Sequence, residues 1–150
     1  MNRRRFLTLA QIVTGLFGVP GPAWSRNAPA PVSEPQKPTP FDVAYAAELG
    51  TAKALSSDCI QLETPQIAED GAVVPISLTA DLPGVSELVI LVEKNPTPLT
   101  ARFRLAATAA PEISLRIKMN ETCDVVALAK TADGVYTTRS NVRVLIGGCG

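Results

Sequence analysis

No histidine occurs in this chain of 150 residues, and that one omission removes much of enzymology. Without an imidazole, a hydrolytic Ser- or Cys-based triad has no ordinary base, and the commonest metal ligand is missing. Nor do the three cysteines form a Cys-x-x-Cys pair, so no metal site and no cofactor is expected. The carboxylates Glu69-Asp70 and Glu121 with Asp124 flank predicted turns, where acids serve as solvated charges or caps rather than as a calcium site. Gly147-Gly148 follows a strand-like run but precedes no helix, which excludes a phosphate loop. An excess of either sign of charge is absent too, with 14 basic against 14 acidic residues. Finally, no internal repeat stands out, and no apolar run approaches the roughly 20 residues that a membrane span needs.

The beginning of the chain does not read as folded protein. Asn2-Arg3-Arg4-Arg5-Phe6-Leu7, a moderately apolar stretch to Val19, and Pro20-Gly21-Pro22 have the layout of a cleavable export signal. Arg3 and Arg4, followed by Phe6-Leu7, resemble the pair of a twin-arginine signal, and the small residues before position 26 place the cut after Ser25. Residues 1–25 contain three arginines and no acid, so their loss turns 14 basic residues into 11 against 14 acidic ones, a net charge of −3. Neither a nucleic-acid footprint nor a membrane-surface patch survives that subtraction. Residues 26–40, with five prolines among Asn27–Pro40 and almost no large apolar side chain, make an extended spacer. The expected location is the periplasm.

Residues 41–146 carry the fold. Thr39-Pro40-Phe41-Asp42 predicts a helix with Thr39 as N-cap and Pro40 at the first helical position. Phe41, Tyr45 and Leu49 line one face and Gly50 ends it. From Ile60 the rhythm becomes alternating, with strands predicted around Ile60–Leu62 and Val74–Ala80. An unbroken apolar run, Leu88–Val92, marks a strand central to the fold. Ala101, Phe103 and Leu105 then face inward with Arg102 and Arg104 outward. Ile113 to Met119 alternates most clearly, Val125–Ala129 is another strand, Asp133-Gly134 turns the chain into Val135–Thr138, and Val142–Ile146 closes the series. Some eight short strands at spacings of about 10 residues predict an all-β, immunoglobulin-like antiparallel β-sandwich with a short N-terminal helix.

The remaining signal is the end of the chain. Gly147, Gly148 and Gly150 flank Cys149 directly after that last strand. Glycines at a terminus make a flexible arm, residues 147–150, and leave the thiol sterically open. No lysine or arginine follows Arg143, and a cysteine near its reference pKa of about 8.5 is only a few per cent ionised at neutral pH. That suits an attachment point acted on by others and argues against a stand-alone thiol enzyme. Three cysteines leave one over: Cys59 and Cys123 are either bridged or a pair of free, small buried hydrophobes.

Several segments together resemble the SoxY family: Pro65 to Ile76, Leu82-Pro83-Gly84-Val85, Val92 to Leu99, Arg116-Ile117-Lys118-Met119 and Ile146-Gly147-Gly148-Cys149-Gly150. The likeness covers nearly all of 41–150, and its most specific motif is the tail. It implies an immunoglobulin-like sulfur carrier of periplasmic thiosulfate oxidation, paired with a SoxZ companion. Cys149 would be the covalent attachment site, loaded by a c-type cytochrome pair and then served by a hydrolase and a sulfur dehydrogenase. The family tail commonly carries one more glycine, which bears on reach rather than role, and Cys59 and Cys123 are additions to the pattern. A reading of another class is an exported binding or structural module whose Cys149 forms an intermolecular disulfide.

Overall fold

The computed structural model describes residues 37–145. The predicted signal, all but the last residues of the proline-rich spacer, and the Gly147–Gly150 arm lie outside the described residues. In chain order the elements are α1 (Phe41–Leu49), β1 (Ala54–Ser56), β2 (Ile60–Glu63), β3 (Ile67–Ala68), β4 (Val74–Ala80), β5 (Glu87–Val92), β6 (Leu99–Arg104), β7 (Glu112–Ile117), β8 (Cys123–Lys130) and β9 (Val135–Val144). One sheet runs β1-β9-β8-β5-β6, with β3 also pairing to β9; the other is β2-β4-β7.

Alternation decides which face of each strand is buried. Along β4, Val74, Ile76, Leu78 and Ala80 are buried, with Pro75, Ser77 and Thr79 on the outer face. On β7, Ile117 is buried and Ile113 and Leu115 are half-buried between exposed neighbours, and on β6 Ala101 and Phe103 are half-buried while Arg102 and Arg104 are exposed. These side chains meet Leu88, Ile90, Val92, Val125, Ala127 and Ala129 of the larger sheet in one core between the sheets. Each fully buried Val, Leu or Ile in it contributes about 1.5–3 kcal/mol.

The unbroken run Leu88–Val92 needs a second explanation, because only alternate residues of a strand can face the other sheet. Its remaining members, Val89 and Leu91, join Val126, Leu128 and Val135 in a separate cluster on the outer side of the large sheet. Phe41, Ala44, Tyr45 and Leu49 of α1 cover that cluster. Three layers result, helix over large sheet over small sheet, and the central strands β5 and β8 are apolar on both faces for that reason.

Three local features differ from the sequence reading. Pro40, not Thr39, is the N-cap residue; it stays extended at ψ 145° and its carbonyl accepts the first helical bond from Ala44 N at 3.1 Å. Thr39 is held back because its N–H donates to Pro96 O at 2.9 Å, and its hydroxyl donates to Lys37 O at 3.0 Å instead of capping. The helix does stop at Gly50, whose φ of 60° suits a residue without Cβ. Second, Val135–Thr138 and Val142 onward form one ten-residue strand, β9. The intervening Arg139-Ser140-Asn141 includes residues common in turns, but all three pair with β8 and stay extended. Third, the sandwich is not antiparallel throughout: β1 and β3 both run parallel to β9, at its two ends.

Candidate functional site

Cys149 follows β9 in the sequence, and the described end of that strand is held on both sides. The β8–β9 ladder reaches only to Cys123 opposite Val142. Beyond it, the Thr122 hydroxyl takes over from the missing strand: it accepts from Val144 N at 3.0 Å and donates to Val144 O at 3.4 Å. On the opposite edge, β3 lies parallel, with Ile67 opposite Arg143 and Ala68 opposite Val144. Arg143 N donates to Gln66 O at 3.0 Å and Leu145 N to Ala68 O at 2.9 Å.

Behind Val144 the chain packs so closely that only glycine fits. A Cβ at Gly71 would stand 2.4 Å from the Met119 carbonyl oxygen and 2.8 Å from Val144 Cγ1, and Met119 N donates to Gly71 O at 2.7 Å. Nearby loops are tied as well. Asn95 donates to Lys118 O at 2.7 Å and accepts from Asn120 N at 3.1 Å, and Lys94 pairs with Glu121 at 3.5 Å. Leu145 and Ile67 are exposed apolar side chains at this root.

Cys149 with Gly147, Gly148 and Gly150, and Arg3 with Arg4, lie outside the described residues. Cys59 and Cys123 lie within them, and both are free. No bridge joins them because they sit at opposite ends of the sandwich. Cys59 precedes Ile60, which pairs with Ala80. Cys123 lies among the core residues Met119, Val142 and Val144, at the end of β4 where Val74 begins. The six residue steps from Val74 to Ala80 span roughly 20 Å, well beyond the reach of a disulfide. Cys59 is exposed and Cys123 buried; burial pushes the Cys123 thiol up, only partly offset by the Lys94 backbone N–H. Cys123 is therefore a core side chain and no nucleophile.

The carboxylates flagged in the sequence serve local structure. Asp70 accepts from Ala72 N at 2.8 Å, and Asp124 accepts from Asn141 at 2.7 Å with Arg139 nearby at 3.9 Å. No group of three His, Cys, Asp or Glu side chains that would hold a metal occurs among the described residues, and no described helix is long and apolar enough to cross a membrane.

One cluster was missed by the sequence reading. Glu48 is buried in α1, ion-paired with Arg102 and with Lys130 at 3.0 Å. Lys130 also meets Glu87 at 2.8 Å, and Arg102 and Arg104 approach Glu87 at 3.7 and 3.5 Å. Burial pushes the Glu87 carboxyl up, but the bond and charge of Lys130, with Arg102 and Arg104, outweigh it and hold the group below its ordinary range. Lys130 behaves conversely: burial pushes its ammonium down, and Glu87 and Glu48 outweigh that and raise it. The signal was available, since Glu48 lies three residues after Tyr45 and seven after Phe41, within the apolar stripe.

Comparison with known proteins follows the fold. The chain matches the family described as sulfur oxidation protein SoxY over residues 45–149. It is similar to the structure of the sulfur carrier protein SoxY from Chlorobium limicola f thiosulfatophilum, at 33% identity and a TM-score of 0.64, covering 70% of this chain and 96% of that one. A superoxide reductase (neelaredoxin) from Ignicoccus hospitalis matches at 14% identity and a TM-score of 0.48, over 57% of this chain and 80% of that one, too distant to bear on function. No curated protein matches the chain.

Proposed function

Because this chain belongs to the SoxY family of sulfur oxidation proteins, we propose that it is a covalent sulfur carrier, acted on by partner enzymes, with Cys149 as its attachment point. The observation that supports this most directly is that the family match runs to residue 149 and so includes the terminal thiol. Of the other two cysteines, one is a buried core residue and the other lies at the far end of the sandwich. A carrier needs a thiol that reaches into other proteins, and β9 delivers its end from a braced root.

In this reading loading is oxidative. The Cys149 sulfur forms a bond to the outer sulfur of thiosulfate, the thiol proton is released, and two electrons pass to the haem irons of a c-type cytochrome partner. Hydrolysis then cleaves the S–S bond to the terminal sulfone: water oxygen leaves in sulfate, and one sulfur stays on Cys149 as a persulfide, the substrate for a sulfur dehydrogenase. Each partner would activate the thiol in its own site, which agrees with the lack of a base near Cys149 in the sequence. A SoxZ-like companion would complete a heterodimer. The Arg3-Arg4 signal would take the chain to the periplasm by the twin-arginine route, with residues 1–25 removed.

The test is mass spectrometry of the full mature chain with its companion, incubated with thiosulfate and the cognate cytochrome. A thiosulfate adduct is expected on the C-terminal peptide, lost completely in Cys149→Ser while the thermal unfolding midpoint stays unchanged. No adduct on the wild-type tail, or a reducible Cys149-linked dimer as the sole product, would overturn the reading.

A further inference from the structure

The carrier reading makes the place where β9 lets go of the sandwich a functional quantity, since it sets how much chain lies between the body and the thiol. We infer that Thr122, acting with Gly71, is a positioning residue that fixes the fulcrum of the C-terminal arm at Leu145. The inference rests on the proposed carrier role for its consequence, on the described residues for the hold on Val144 and Leu145, and on the sequence for the number of residues from there to Cys149.

Without Thr122, β9 has no partner on its β8 side beyond Val142. The strand pairing that remains is β3, two residues long, and a pairing of that length has little stability by itself. Thr122 satisfies both the N–H and the C=O of Val144 with one hydroxyl. It is itself exposed and lies outside any strand, so sheet formation does not require a hydroxyl there. Gly71 allows the third contact: with a Cβ it would strike both the Met119 carbonyl and the Val144 side chain. Strand pairing, a side-chain bracket and a close backbone approach thus converge on a single residue.

The fulcrum decides reach. From Leu145, the four residue steps to Cys149 span about 14 Å when extended, whereas a root released back to Val142 would give seven steps and about 24 Å. A longer tether is a more dilute one. Effective concentration falls as about the −3/2 power of tether length, so growth from four to seven residues lowers the encounter rate of Cys149 with a partner's active site about twofold. Reaction of the thiol with a small diffusing disulfide reagent has no such dependence. That split distinguishes a fulcrum from a residue that merely stabilises the fold.

Two readouts on the full mature chain with its companion test this. The first places spin labels on Cys149 and on Glu112→Cys in a Cys59→Ser background, labelled in the native state where Cys123 is buried, and measures the distance distribution. Thr122→Val is expected to broaden and lengthen it, Thr122→Ser to restore it, and Gly71→Ala to reproduce the valine effect. The second is thiosulfate loading by the cytochrome partner, expected to fall about twofold in Thr122→Val with unchanged reactivity toward an aryl disulfide. An unchanged distance distribution overturns the fulcrum, and so does a broadened one without a change in loading. Failure of the wild-type chain to load overturns the carrier reading instead, and the distance measurement still decides where the arm begins.

Discussion

At the Lys130 end of the large sheet, helix α1 is latched by five charged side chains, Glu48, Glu87, Arg102, Arg104 and Lys130. At the Val144 end, the root of the tail is held by uncharged groups: backbone pairing to β3, the Thr122 hydroxyl and the Gly71 contact. The two holds fail differently. A buried ionic latch is stiff but leaves an uncompensated charge when one partner goes, and it answers to pH. Neutral hydrogen bonds give way locally and are indifferent to pH and salt. The end of β9 from which the sequence continues toward Cys149 is thus the one whose hold does not depend on solution conditions.

The largest expected effect is on the latch. Glu48→Ala removes the buried carboxylate that Arg102 and Lys130 share, with Glu87 still beside both, and should cost about 1.5–3 kcal/mol in urea unfolding, while amide protection at Val144 and Leu145 stays at the wild-type level. Loss of protection at both ends together would merge the two holds into one cooperative unit and end the contrast. Acid and base provide a gentler probe. The Glu87 carboxyl is held below its ordinary 4.5, so its contribution is complete above pH 4.5 and vanishes as pH falls through the folded value. The Lys130 ammonium is held above its ordinary 10.5, so its contribution is complete below pH 10.5 and is lost as pH rises through the folded value. The urea midpoint should therefore decline below pH 4.5 and above pH 10.5. Glu87→Gln should lessen the acid decline without moving hydrogen exchange at Val144 in either range.

Smaller still is the clamp: Thr122→Val should cost about 1 kcal/mol of global stability yet deprotect Val144 and Leu145 selectively in hydrogen exchange. Smallest is Lys94→Ala. That pair with Glu121 is half exposed on both sides, and its loss should change the unfolding free energy by less than about 1 kcal/mol. A larger change would show that the loops beside the root are braced by charge after all, and would blur the distinction between the two ends.

Much of the sandwich was legible because side-chain period and burial are linked by strand geometry alone. The alternation of Ile113 to Met119 and of Val74 to Ala80 could be read directly, and so could the central place of Leu88–Val92. What escaped reading depended on partners distant in sequence. Thr39 loses its capping position because Pro96 claims its N–H, and nothing within four residues of Thr39 announces that. The continuity of β9 depends on β8 pairing opposite Arg139 to Asn141. Glu48 reads as a surface acid until Arg102 and Lys130 arrive from other strands. The bracket at Thr122 is a contact across 22 residues that no local pattern encodes.

The two short parallel strands have one more consequence. β9 is the outermost long strand on its side of the large sheet, and an open flank of ten residues would invite another copy to add itself edge to edge. β1 occupies the first part of that flank and β3 the last, and between them Thr64 reaches Ser140 at 2.7 Å. The segment from Ala54 to Ala68 works as a selvedge, finishing the fabric along its vulnerable border, so that copies of the chain do not join into polymer along it.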